Sequence, residues 1–326
     1  MATTREKLTT AVRHHQAGRL QEAERLYGEI LRVDPNHSHT LNLMGVILHQ
    51  KDRSDEAIGY IRKAVRGNPA KAEYHNNLAS AYLGAGKPGE AAASAREAIR
   101  LAPDYAFAHG NLGEASLALG RPDDAVACYQ RAIALAPEAA DLHHNLGRSF
   151  LELGQLPEAV ASFRRAVELA PDAANHRIGL ANALRKLDSE PDEVIAGYRL
   201  ALELQPDNPE VLSTLGNALA DQGRLDEAVD CHRRALEIAP ESVMALVNLG
   251  NALSDQGKLD EAAVCYEKAA QADAGNPAAL ANLAEVLRLR GEVDEAIARC
   301  QRALEIDPHC VAAHVNMGLA YFERGD

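Results

Sequence analysis

The chain has 326 residues, of which 47% are hydrophobic, 25% are charged and 4% are aromatic, with no tryptophan. This composition favours helices over sheets and supplies enough apolar material for a core, which excludes a disordered chain. The net charge of −13 and the lack of a basic stripe exclude a nucleic-acid partner. Neither a membrane span of about 20 apolar residues nor a signal peptide is visible. We therefore expect a cytoplasmic protein without nucleic-acid or membrane partners.

The charge is unevenly distributed along the chain. Residues 1–70 hold 11 Lys/Arg against 8 Asp/Glu, a net of +3, so residues 71–326 carry −16. If the later acids lie on a binding face, they favour basic partners. The alternative is that they are solvated residues in the first turns of helices, where negative charge complements the helix dipole. Both interpretations stay open at this point.

Prolines recur along the chain at a nearly constant spacing of 34 residues, with one spacing of 35. They are Pro35, Pro69, Pro103, Pro137, Pro171, Pro206 and Pro240, followed by Pro308 two repeats later. Such a period indicates internal structural repeats. We number each unit so that this proline is position 32. The predicted complete units are residues 4–37, 38–71, 72–105, 106–139, 140–173, 174–208, 209–242, 243–276 and 277–310, with a partial tenth unit at 311–326.

Each unit predicts two antiparallel helices. Position 8 is Gly or Ala in all ten units, as in Gly113 and Gly250, and alanine dominates positions 20 and 27. Two helices approach closely only where side chains are small, and bulky residues such as Tyr129 at position 24 then fill the surrounding space. A glycine near position 15 ends the first helix, proline or acidic residues open the second, and the proline at position 32 separates the units.

These columns resemble the tetratricopeptide repeat, and the resemblance extends from about residue 4 to the end of the chain. It implies an all-α fold, a right-handed superhelical solenoid of antiparallel helix pairs whose first helices line the concave side. The expected partners are therefore proteins or peptides.

Three units depart from the pattern. In the first, Lys7 occupies a position that is usually apolar, as expected of a solvent-facing N-terminal cap. The sixth has one extra residue within 186–192 and lacks the turn glycine, which predicts a longer loop and a bend or hinge. The tenth consists of one helix that carries Val315 and Phe322, so we expect the native protein to continue beyond Asp326.

Asparagine recurs on one face of the first helices. Positions 6, 9 and 13 fall within an arc of about 60°, roughly opposite the small residue of position 8, so they are predicted to face away from the paired helix and into the groove. The candidate binding residues are Asn77, Asn111, Asn145, Asn248, Asn282 and Asn316 at position 6, Asn182, Asn217 and Asn251 at position 9, and Asp221 and Asp255 at position 13.

A ladder of amides suits the binding of an extended peptide, because each amide offers both a donor and an acceptor to the peptide backbone. On this hypothesis Asn111→Ala and Asn145→Ala hardly change stability but weaken binding. Alternatively, the asparagines form a solvated polar face or bridge adjacent repeats. Asparagine is a poor helix former, so its recurrence requires one of these reasons.

A narrower resemblance concerns residues 248–253, 259–262 and 265–266, which look like the repeat region of O-linked N-acetylglucosamine transferases. In that family an asparagine ladder holds substrate proteins. Residues 16–23 are similar to bacterial multi-repeat proteins that carry a transferase domain downstream. Three functions are therefore considered: a binding scaffold, the substrate-recognition arm of a protein O-glycosyltransferase, and a homo-oligomeric structural adaptor that self-associates. No catalytic constellation is visible, so the chain itself is not predicted to be an enzyme.

Histidine and cysteine also recur in register. The histidines of position 4 are His75, His109, His143 and His314, and the cysteines of position 23 are Cys128, Cys231 and Cys265. Helices of successive repeats lie roughly 10 Å apart, which is too far for one metal ion or a disulfide to bridge. We therefore expect packing roles for both columns, and neither metal nor cofactor.

Overall fold

The computed structural model describes residues 3–188 and 191–325. Within these ranges the regular structure consists of α-helices joined by short turns, with no β-strand. The helices fall into two compact units, Met1–Ala170 and Pro171–Asp326. No helix in the described ranges has the length and apolar character needed to cross a membrane.

Over its described residues, the first compact unit contains ten helices. Each odd-numbered helix is the first of a repeat, and each even-numbered helix is the second. They are α1 Thr4–Gln16, α2 Leu20–Val33, α3 Ser38–Gln50, α4 Ser54–Gly67, α5 Ala72–Gly84, α6 Pro88–Leu101, α7 Ala106–Ala118, α8 Pro122–Leu135, α9 Ala140–Glu152 and α10 Leu156–Leu169.

The second unit continues the same alternation over its described residues. Its helices are α11 Ala174–Lys186, α12 Pro191–Leu204, α13 Pro209–Asp221, α14 Leu225–Ile238, α15 Val243–Asp255, α16 Leu259–Ala272, α17 Pro277–Leu289, α18 Val293–Ile306 and α19 Val311–Arg324. The all-α helical-repeat fold predicted from the 34-residue period is confirmed.

The turn that follows each first helix requires a left-handed backbone. The predicted turn glycines adopt it, with φ between 68° and 90°, at Gly18, Gly86, Gly120, Gly154, Gly223, Gly257, Gly291 and Gly325. Asp52 and Asp188 take the same conformation in the second and sixth units, at φ 58° and 54°. Asp therefore replaces the glycine that the sixth unit lacks. Of its predicted longer loop, residues 189 and 190 lie outside the described residues.

The small residue at position 8 allows each helix pair to close. A β-carbon added at Gly113 would lie 2.8 Å from Cζ of Tyr129, and one at Gly250 would lie 2.6 Å from Cε1 of Tyr266. Both tyrosines are position-24 residues of the paired second helix and are almost completely buried. The prediction that position 8 must be small for close packing is confirmed.

The histidines of position 4 hold the loop between repeats. Nε2 lies 2.8–2.9 Å from the carbonyl oxygen of the preceding position-32 proline in the pairs His75–Pro69, His109–Pro103, His143–Pro137 and His314–Pro308. In the sixth unit Nε of Arg177 donates to the carbonyl of Pro171 at 3.0 Å. This column therefore connects each first helix to the chain that enters it. The cysteine column is buried to half-buried, and burial raises the pKa of the Cys128, Cys231 and Cys265 thiols.

Candidate binding site on the first helices

The first two asparagines of position 6, Asn77 and Asn111, bridge adjacent repeats through their side-chain amides. Nδ2 of Asn77 donates to Oδ1 of Asn42 at 3.1 Å. Nδ2 of Asn111 donates to Oδ1 and to the backbone oxygen of Asn76, at 2.9 and 3.2 Å. Asn42 and Asn76 are buried and occupy position 5 of the preceding repeat. We call α3–α5 and α5–α7 the bridged interfaces, because an amide pair joins their first helices.

The next pair of first helices, α7 and α9, lacks this bridge. Position 5 of α7 is Gly110, which has no side chain to receive a hydrogen bond from Asn145. Oδ1 of Asn145 instead accepts a hydrogen bond from Nη1 of Arg148 at 3.1 Å, and its Nδ2 has no hydrogen-bond partner among the described residues. α7 packs more closely on α5 than on α9. We call α7–α9 the open interface.

A cavity of about 420 Å³ lies at the open interface. Phe107, which is 72% exposed, Gly110 and Leu142 contribute to its apolar lining, and the predicted residues Asn111 and Asn145 also line it. The remaining lining residues are Ala106, Glu114, Ala136, Ala139 and Asp141. A β-carbon at Gly110 would lie 3.2 Å from Cδ2 of Leu142, so the glycine leaves room that a side chain would fill.

Glu114, one of the lining residues, is held in position by a hydrogen bond from the paired helix α8. The hydroxyl of Tyr129 donates to Oε2 of Glu114 at 3.0 Å, and Nη1 of Arg148 lies 3.3 Å from the same oxygen. Burial, followed by the nearby Glu114 carboxylate, raises the pKa of Tyr129 well above its ordinary value. The phenol therefore stays a neutral donor, and the carboxylate is fixed in place beside the cavity.

In the second compact unit, Pro171–Asp326, two predicted residues of position 9 contact the paired helix. Oδ1 of Asn251 accepts hydrogen bonds from the hydroxyl of Tyr266 at 2.7 Å and from Nδ2 of Asn282 at 3.1 Å. The hydroxyl of Tyr198 donates to Oδ1 of Asn182 at 2.6 Å. The expectation that position 9 faces away from the paired helix is wrong for Asn182 and Asn251. A tyrosine at position 24 is long enough to pass the small residue of position 8 and reach them.

The other predicted residues of the second compact unit differ in how far their side chains are exposed. Asn316 is only 7% exposed, and its Nδ2 donates to the carbonyl oxygen of Ala281 at 3.0 Å, so this amide also bridges repeats. Asn248 and Asn217 are partly buried, whereas Asp221 and Asp255 are exposed. Several of these side chains therefore bond within the protein, as in the alternative in which the asparagines bridge adjacent repeats.

Eight of the ten residues that line the cavity were not among the predicted site residues, and Phe107, Gly110 and Glu114 are the ones that matter most to its character. Position 2, occupied by Phe107, lies on the same helical arc as positions 6, 9 and 13, and no other unit has phenylalanine there. The exposed Met244 occupies the same position in the eighth unit. A lone aromatic residue on the asparagine-bearing arc was therefore a signal that the sequence contained. Gly110 could have been noticed as the glycine that replaces the asparagine of the two preceding units.

Family comparisons cover most of the chain. One model described as a tetratricopeptide repeat matches residues 8–73, 144–209 and 247–309, which is more than half of the chain. A second with the same description matches residues 104–172 and 207–274, and a third matches 72–105. No curated protein matches the chain.

Solved structures provide a comparison of the fold. The APC/C hetero-tetramer Cut9–Hcn1 is 13% identical, with 97% of this chain and 76% of that chain covered at a TM-score of 0.60. YrrB, described as a repeat protein with an unusual peptide-binding site, is 23% identical to this chain. The match covers 57% of this chain and 96% of YrrB, at a TM-score of 0.49. A thermophilic repeat protein of Thermus thermophilus is 26% identical, with 56% of this chain and 99% of that chain covered, also at a TM-score of 0.49. The first of these likenesses supports the helical-repeat fold.

Proposed function

The chain belongs to the tetratricopeptide repeat family, and from this premise we propose that it is a scaffold that binds extended segments of partner proteins along its first helices. One observation carries the proposal. Two predicted amides, Asn111 and Asn145, line an open cavity together with the exposed ring of Phe107. Apolar walls with a few convergent polar groups are typical of ligand sites, and this cavity falls within their usual range of about 300–1,000 Å³.

The remaining hydrogen-bonding capacity of the amides supports a peptide ligand. The side-chain carbonyl oxygen of Asn111 and the Nδ2 of Asn145 have no hydrogen-bond partners among the described residues, so one acceptor and one donor are left for a ligand. A peptide backbone offers complementary groups at every residue. The scaffold supplies binding and orientation, and any chemistry on the partner is assigned to another protein or domain.

Site-specific photo-crosslinking tests the proposal. A benzoylphenylalanine at Phe107 reports contacts of the first-helix face, and one at Val264, which is 49% exposed on the second helix α16, serves as the control. In lysate of the native cell, we expect protein adducts from position 107 and few from position 264. Adducts formed equally at 264, or only there, would move the binding surface to the second helices and refute the proposal.

Two other functions remain hypotheses with separate tests. As the substrate-recognition arm of a protein O-glycosyltransferase, the chain would be fused to or bound by a transferase domain, which sequencing of the natural coding region or co-purification would reveal. As a homo-oligomeric adaptor it would self-associate, and light scattering that finds a monomer at all concentrations excludes this function. We also propose that the partners are basic, and the carboxylates that line the cavity of the open interface are the reason for this proposal.

A further inference from the structure

We propose that the cavity of the open interface is the anchor of the binding face, and that it selects an extended segment in which a large apolar side chain lies next to a basic one. This inference rests on the proposed function and adds the chemistry of the ligand. Its basis is the set of side chains that line the cavity and the glycine that keeps it open.

The apolar part of the specificity follows from the walls. Phe107 leaves most of its ring to solvent, although an exposed aromatic side chain is unfavourable, and it stands beside Leu142 and three alanines in the same cavity. Covering these walls with an apolar side chain removes the exposed area from water. The ring of Phe107 lies 6.0 Å from that of Tyr105 in an edge-to-face arrangement, which supports it as a wall.

The basic part follows from the charges. The charged side chains that line the cavity are Glu114 and Asp141, and both are carboxylates. Arg148 contacts Glu114 but is not part of the lining. A lysine or arginine next to the apolar anchor would share the Glu114 carboxylate with Arg148 and lie beside a second carboxylate, whereas an acidic residue at the same place would meet two like charges.

Gly110 determines whether the cavity exists. At the bridged interface α5–α7 the same position holds Asn76, whose side-chain oxygen accepts a hydrogen bond from Asn111. A Gly110→Asn substitution should rebuild that bridge with Asn145 and fill the cavity, with a small displacement of the end of Leu142. The variant should therefore lose binding while it keeps its fold.

A random-peptide display library, selected against the whole chain, is the probe. We expect enriched peptides that pair a large apolar residue with Lys or Arg. Synthetic versions measured by fluorescence anisotropy should bind about ten- to hundredfold more weakly to Gly110→Asn and Phe107→Ala, because the apolar contact is lost. The matched control is Met244→Ala, at the same repeat position and 67% exposed, which should leave affinity unchanged. Circular dichroism of each variant checks that the helices are intact.

The outcomes separate this inference from the proposed function. No enriched peptide from the library counts against both. Enriched peptides that bind the Gly110→Asn variant as well as the original, or that lose affinity equally in Met244→Ala, leave the scaffold function standing and overturn the anchor. Enrichment of apolar residues with acidic neighbours would overturn the charge selection.

Discussion

The bridged interface α5–α7 and the open interface α7–α9 share the helix α7 and have an asparagine at position 6 of their later helix, yet that asparagine has different roles. Asn111 completes an amide bridge to Asn76, whereas Asn145 has no corresponding acceptor because Gly110 occupies position 5. An identical residue in an identical repeat position thus bridges two first helices at one interface and forms no such bridge at the next. The neighbour across the interface decides which role it takes.

The largest effect is expected from a change that disrupts the helix common to both interfaces. Gly113→Leu places a side chain where even a β-carbon would lie 2.8 Å from the ring of Tyr129, so α7 and α8 must separate. We expect a loss of about 1–3 kcal/mol or more in the free energy of unfolding, measured by denaturant titration with circular dichroism.

The control for this change is Gly318→Leu, at the same repeat position in the tenth unit. A β-carbon there meets no atom of the described residues within 4 Å, so we expect little loss of stability. Because leucine is the better helix former at both positions, an equal loss of stability would mean that contact with the second helix does not govern position 8.

A smaller effect separates the two asparagines directly. Asn111→Ala removes two hydrogen bonds and leaves the buried side-chain oxygen of Asn76 without that donor, whereas Asn145→Ala removes an exposed hydrogen bond with Arg148. Because both changes gain the same helix propensity, the difference between their unfolding free energies isolates the bridge. We expect Asn111→Ala to be less stable by about 1–2 kcal/mol.

This result would replace the sequence-based expectation that both substitutions leave stability unchanged. Equal unfolding free energies for the two variants would mean that the bridge contributes nothing measurable, and the division into bridged and open interfaces would lose its energetic basis.

The smallest effect concerns the glycine of the open interface. Gly110→Ala increases helix propensity by roughly 1 kcal/mol, but its β-carbon lies 3.2 Å from Leu142, which must shift by a few tenths of an ångström. We expect a net stabilisation of about 0.5 kcal/mol, measured as a shift of the denaturation midpoint. A clear loss of stability would show that Leu142 cannot move, and that the cavity is held open by rigid packing.

The repeat pattern alone was sufficient to predict the helical pairs. A 34-residue period, a small residue at position 8 and a glycine at the turn each encode a local or nearest-neighbour requirement, and Gly113 against Tyr129 satisfies it as expected. The asparagine columns were also visible, because they recur in register. These features depend on residues within one unit, and the sequence contains nine complete units and a partial tenth.

The tertiary structure decided what each asparagine binds. The acceptor of Asn111 lies 35 residues earlier, and the tyrosine that reaches Asn251 comes from the paired helix. Helical angles place a side chain on a face, but they do not state how far a partner from another helix extends across it. For this reason the sequence determined the repeat architecture and the asparagine-bearing arc, whereas the cavity beside Gly110 depended on the packing of two neighbouring repeats.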